Sequence, residues 1–190
     1  MKLKKEEGQD LIKAAREAIN YYFEHREIPS LLKGVDLDKY QEPRGVFVTL
    51  KLSGQLRGCI GVPLPMFPLG KAVVKSAIGA AFEDYRFPPL SKEEFEEAEI
   101  EVSVLSVPEK IEVSSESEYP ERIKIGRDGL IVKYGGQTGL LLPQVPVEEG
   151  WGTREYLEQL CLKAGLPKDA WKRPGAVIEA FQAQIFEERK

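Results

Sequence analysis

Apolar residues recur every three or four positions across residues 6–27, at Leu11, Ile12, Ala15, Ala18, Ile19, Tyr22 and Phe23, with charged residues between them. That period predicts an amphipathic helix with one face on a core, ended by Pro29. Residues 30–44 show no period and read as an irregular connection. From Gly45 to Leu52 the chain turns β-branched and apolar, Ser53-Gly54-Gln55 offers a turn, and residues 56–60 complete a predicted β-hairpin. Residues 68–83 read as a second helix, with Leu69, Val73, Ala77, Ala80 and Ala81 forming a narrow stripe of small side chains. Pro88 and Pro89 cannot continue it. Ser91 to Glu94 is a capping-box pattern that opens a short helix. Ile100, Val102 and Val104 then alternate with Glu101 and Ser103, which predicts a strand.

The second half of the chain is richer in strand signals. Residues 122–125 and 130–134 flank Arg127-Asp128-Gly129 and predict a hairpin. Gly135-Gly136 leads to a further strand at 138–142. Residues 153–164 carry Leu157, Leu160, Cys161 and Ala164 on one helical face, closed by Gly165, and residues 167–171 form one more turn. Residues 177–186 read as a last strand. Hairpins with helices before and between them predict an α+β fold with a mainly antiparallel sheet flanked by helices. The expected organisation is one two-lobed domain over 1–190, with a lobe junction near the acidic, serine-rich residues 112–119.

Composition narrows the chemistry. The 190 residues include 27 Lys and Arg against 31 Asp and Glu, a formal net charge of -4, which disfavours nucleic acid as a partner. Two cysteines build no disulfide scaffold and point to a reducing compartment. The single histidine, His25, rules out a multi-histidine metal centre, and no metal site is expected. The start, MKLKKEEGQ, has no apolar segment of a targeting peptide, and no stretch is long enough to span a bilayer. The expected location is the cytoplasm. Asn20 is the only asparagine, and with abundant Glu and Lys this resembles heat-adapted composition.

The most unusual segment is Leu56-Arg57-Gly58-Cys59-Ile60-Gly61. Glycines inside a strand mark a bulge or a close approach of backbone or ligand, which makes Gly58 and Gly61 candidates for substrate contact. On a regular strand Arg57 and Cys59 share a face, and a guanidinium near a thiol favours the nucleophilic thiolate. The competing reading makes Cys59 a small buried hydrophobe. Asp84 and Arg86 lie just before the proline corner. Arg86 there is either a rigid anion-binding fork or the partner of a carboxylate such as Asp84. Cys161 belongs to a helix face, and His25 complements a helix end. The glycine pairs at 126–129 and 135–136 read as turns. Trp151 and Tyr156 make a weak aromatic platform.

Residues 56–61 resemble the signature of the AMMECR domain family, and the resemblance runs from about residue 11 to residue 187. It continues through Asp84 with Arg86-Phe87-Pro88-Pro89, residues 101–109, Gly126-Arg127-Asp128-Gly129-Leu130, residues 139–145 and residues 163–167. Tyr85 and Val62 depart from the residues common at those places. The resemblance implies a two-lobed α+β fold, and it carries no established activity and no known cofactor. It implies association with Memo-like or radical SAM proteins in prokaryotes, and it marks the signature as the functional element.

Two functions follow as expectations. In the first, a small-molecule enzyme has its pocket between the lobes, with Cys59 and Arg57 catalytic and Arg86, Asp84, Gly58 and Gly61 holding an anionic substrate. In the second, a non-catalytic binding module works with a Memo-like or radical SAM partner, and Cys59 is merely small.

Overall fold

The computed structural model describes residues 2–30 and 32–188. Its helices are α1 (Lys5–His25), α2 (Leu69–Phe82), α3 (Lys92–Glu97), α4 (Tyr119–Arg122), α5 (Val145–Glu148) and α6 (Thr153–Lys163). Its strands are β1 (Val46–Leu52), β2 (Gln55–Val62), β3 (Glu99–Leu105), β4 (Glu109–Lys110), β5 (Asp128–Tyr134), β6 (Gln137–Leu141) and β7 (Val177–Glu187). The fold is α+β, and every strand pair with a described register is antiparallel. Contacts divide the chain into two compact units: Met1–Val107 with Gln184–Lys190, and Pro108–Ala183. The acidic residues 112–119 fall within the second unit.

In the first unit the strand order is β2-β1-β3, followed by the last residues of β7. Val46, Val48 and Leu50 of β1 and Ile100, Val102 and Val104 of β3 point to one face and are fully or almost fully buried. They share a core with Leu11, Ala15, Ala18 and Ile19 of α1 and with Val73, Ala77 and Ala80 of α2. The small residues of α2 let that helix lie close to the strands. Arg26 takes a left-handed conformation (φ 56°) and ends α1 three residues before Pro29. The stop therefore lies in the αL cap, whose N–H bonds the Tyr22 carbonyl, rather than in the proline.

In the second unit β7, β5 and β6 are neighbours and β4 pairs with β7. The expected hairpin around Arg127-Asp128-Gly129 is replaced by a helical turn, α4, and a loop that leads straight into β5. Residues 122–125 are no strand because Lys124 accepts the N–H groups of Arg127 and Asp128, while its own N–H goes to the Asp128 carboxylate. Gly135 and Gly136, both with positive φ, make the β5–β6 turn as anticipated. Tyr156 is not part of an exposed platform. It is fully buried, with its hydroxyl 3.0 Å from the Leu141 carbonyl and 3.2 Å from that of Asp128. Tyr156→Phe is expected to cost about 1–2 kcal/mol in urea unfolding, because the one hydroxyl proton shared among the Asp128, Leu141 and Leu142 carbonyls is lost. An unchanged midpoint would contradict that role.

Candidate functional site

The signature lies in β2, the last strand on its side of the first unit. The register with β1 runs Val48↔Ile60, Thr49↔Cys59 and Leu50↔Gly58, then shifts so that Lys51 faces Leu56. Arg57 is thus the extra residue of a β-bulge. The bulge breaks the two-residue alternation on which a shared Arg57–Cys59 face depends.

Arg57 is buried, and it forks onto Glu94 of α3, Nε to Oε1 at 3.0 Å and Nη2 to Oε2 at 2.8 Å. Glu94 also closes the capping box, accepting from the Ser91 N–H at 2.9 Å while its own N–H donates to Ser91 Oγ. The carboxyl of Glu94 is held below its usual range, chiefly by the Arg57 hydrogen bonds. One residue therefore opens a helix and neutralises a buried guanidinium. The Phe87 ring lies 5.8 Å from the Arg57 guanidinium carbon and 5.5 Å from that of Arg86.

Asp84 and Arg86 meet Cys59 through its main chain. The Asp84 carboxylate, 4% exposed as a residue, accepts the Cys59 N–H at 2.9 Å. Arg86 Nη2 donates to the Cys59 carbonyl at 3.2 Å. The same two side chains are joined by Arg86 Nε to Oδ1 at 2.9 Å and Nη2 to Oδ2 at 2.7 Å. The pair stands where a further strand would lie, an acceptor for the N–H and a donor for the C=O. It covers the ladder edge at this one residue. The Asp84 carboxyl is held well below the ordinary carboxylate range, first by the Arg86 hydrogen bonds and also by the main-chain N–H groups of Cys59 and Arg86, against the opposing effect of burial.

The glycines of the signature are filled positions. A Cβ on Gly58 would lie 2.1 Å from the Ala80 carbonyl oxygen of α2. One on Gly61 would lie 2.4 Å from both the Phe47 ring and the Val46 carbonyl oxygen. Gly58 thus admits the helix backbone, and Gly61 admits an aromatic ring from the neighbouring strand.

The Cys59 side chain lies on the sheet face turned away from α1 and α2, half-buried, with Thr49 Oγ1 donating to its sulfur at 3.2 Å. In the same row across the sheet, Thr49 faces Glu101 of β3. Lys51 Nζ binds Glu101 Oε2 at 2.7 Å, and Ser103 Oγ lies 3.4 Å from Oε1. The ammonium of Lys51 is held above its usual value, mainly by that Glu101 hydrogen bond. Thr49 and Lys51 were not singled out by the sequence, and Glu101 and Ser103 entered it only as polar positions of a predicted strand and as part of the stretch 101–109. The alternation of polar residues on the outer face of β1 and β3 was the available signal, and only register turns it into a neighbourhood.

The remaining candidates stand apart. Cys161 is fully buried in the second unit, and burial raises its thiol pKa. His25 stacks on Tyr21 with ring centroids 4.2 Å apart. Among the described residues no three His, Cys, Asp or Glu side chains are grouped to hold a metal ion. No described helix is long and apolar enough to cross a membrane.

Comparison with known proteins agrees with the fold. An uncharacterised protein from Methanopyrus kandleri is 51% identical over 192 residues, covering 100% of this chain and 92% of its own. One from Nanoarchaeum equitans is 49% identical, covering 94% of this chain and 99% of its own. The crystal structure of an uncharacterised protein from Pyrococcus horikoshii superposes with a TM-score of 0.86 at 46% identity, over 100% of this chain and 95% of that one. The AMMECR1 family model matches residues 12–186. With the signature strand, the Asp84–Arg86 pair and nearly the whole length accounted for, the chain belongs to the AMMECR1 family.

Proposed function

We propose that the chain performs thiol chemistry on a small molecule, with Cys59 as the nucleophile presented on the sheet face turned away from the helices. The observation that carries this reading is the way Cys59 is held. Both polar main-chain atoms are bound by one ion pair, the buried Asp84 and the half-exposed Arg86, while the residue itself is only half-buried and its sulfur receives a hydroxyl hydrogen bond. A thiol fixed at its main chain loses little further freedom when it attacks, which favours a near-attack geometry. Arg57, Arg86 and Asp84 are positioning residues in this reading. Each guanidinium is already neutralised by a carboxylate, so neither is a free anion clamp. Gly58 and Gly61 serve by letting α2 and Phe47 close on the strand.

The test is adduct capture. The native protein is incubated with small-molecule extract of its source cells, and the Cys59 peptide is weighed by mass spectrometry. The expected result is a discrete adduct on Cys59 that is absent from Cys59→Ser. Finding no adduct in repeated extracts, with Cys59→Ser fully functional in the cell, would overturn the nucleophile role.

A second reading, a binding module for a Memo-like or radical SAM protein, is favoured by Tyr85. This residue is 94% exposed between two residues locked to the strand edge. An exposed aromatic on a fixed stretch of backbone suits an interface anchor. In that case Tyr85→Ala abolishes co-purification with the partner and leaves Cys59 reactivity unchanged.

A further inference from the structure

We propose that the ligand engaged at Cys59 lies across the strands, over Thr49, and is held at its far end by the Lys51–Glu101 ion pair. This rests on the reading of Cys59 as a nucleophile and adds the class of molecule that it takes. The register is the basis: Cys59 faces Thr49 on one side of β1, and Thr49 faces Glu101 on the other. Directly opposed residues of antiparallel strands stand about 5 Å apart, so the reacting atom and the far anchor are about 10 Å apart. The row is continuous in hydrogen-bonding capacity. It runs from the sulfur to the Thr49 hydroxyl and then to a carboxylate bound by both Lys51 and Ser103.

Space exists at the far end. Lys51, Glu99, Ile100, Glu101, Glu187 and Glu188 border a cavity of 120 Å³ within the first unit. That volume takes a group of a few heavy atoms. The ion pair is partly exposed, Lys51 at 33% and Glu101 at 17% of the side chain, so the ammonium can donate and the carboxylate can accept toward one incoming group. A neutral group that both accepts and donates, such as a carboxamide, satisfies both without breaking the pair. An anionic group would have to displace Glu101 from Lys51, and Arg57 and Arg86 offer no free charge in compensation. The ligand is therefore an electrophile that carries an amide-type group about 10 Å from its reactive carbon.

Two alkylating probes test this. Bromoacetamide is short. Bromoacetyl-glycylglycinamide carries a terminal carboxamide about 10 Å from the reactive carbon, from successive Cα spacings of about 3.8 Å. Both react by forming a bond from sulfur to carbon and expelling bromide, and the thiol proton goes to solvent. Cys59 modification is followed by peptide mass, with circular dichroism confirming that every variant is folded. The expected result is saturation by the long probe and a rate about tenfold above the short one. In Lys51→Met and Glu101→Leu this advantage, taken against the short probe on the same variant, falls to about one. A ratio near one in the native protein, or a ratio unchanged in both variants, overturns the proposal while leaving Cys59 a nucleophile. If neither probe modifies native Cys59, the nucleophile reading itself fails, and this proposal with it.

Discussion

Gly58→Ala is expected to lower the unfolding free energy by about 3 kcal/mol, at the upper end of the usual cost of overpacking. A methyl placed 2.1 Å from the Ala80 carbonyl oxygen meets helix backbone, which cannot rotate away as a side chain would. Either α2 moves off the sheet or β2 bends outward, and both open the core that Ile60, Ala77 and Ala80 share with β1. Gly54 supplies the control. A Cβ there meets nothing within 4 Å, and the only strain is its φ of +77°. Gly54→Ala should cost about 1 kcal/mol. Equal costs at the two positions in urea unfolding would show that the close approach of α2 is unimportant.

Asp84→Ala should be the other large loss, about 2–3 kcal/mol. Breaking a buried ion pair costs about 3–5 kcal/mol, and the partner Arg86 has a side chain 42% exposed, which screens part of it. What remains is a main-chain N–H of Cys59 and a guanidinium left without their acceptor. The pH dependence has a definite sign. The folded-state pKa of Asp84 lies below the unfolded value of about 3.9. Its contribution is therefore complete above that value and is lost as pH falls through the folded pKa. Asp84→Asn should lose stability at neutral pH and show a shallower decline in acid. A variant that matches the parent in urea at pH 7 and keeps the parent's acid slope would remove Asp84 from this role.

Helical period and strand alternation read directly into α1, α2, the β1–β2 hairpin and β3, because each of these segments has one face committed to a core. The Ser91–Glu94 capping box was equally legible, being a local chemical pattern. Its second use, Glu94 as acceptor for Arg57, was not, since the partners are 37 residues apart. The bulge at Arg57 was also hidden: glycine spacing signals an irregularity but not which residue is extruded. Residues 122–125 misled because Ile123 and Ile125 have strand-like character. A turn held by the Asp128 carboxylate and the Lys124 carbonyl outweighs that preference. Of the candidate site, the sequence marked Cys59, Asp84 and Arg86, which the fold does bring together. It placed Arg57 with them, whereas the fold gives Arg57 to α3. Thr49, Lys51 and Glu101 became visible as a neighbourhood only when three strands were set in register.

Cys59 as a thiol held by its main chain and presented for reaction is tested most directly by timed alkylation of the native protein with iodoacetamide, followed by peptide mapping. Both cysteines are free, and one is buried in the second unit. Cys59 is predicted to react within the native state while Cys161 stays unmodified until denaturant is added. A Cys59 protected to the same degree as Cys161, reacting only on unfolding, would contradict the account.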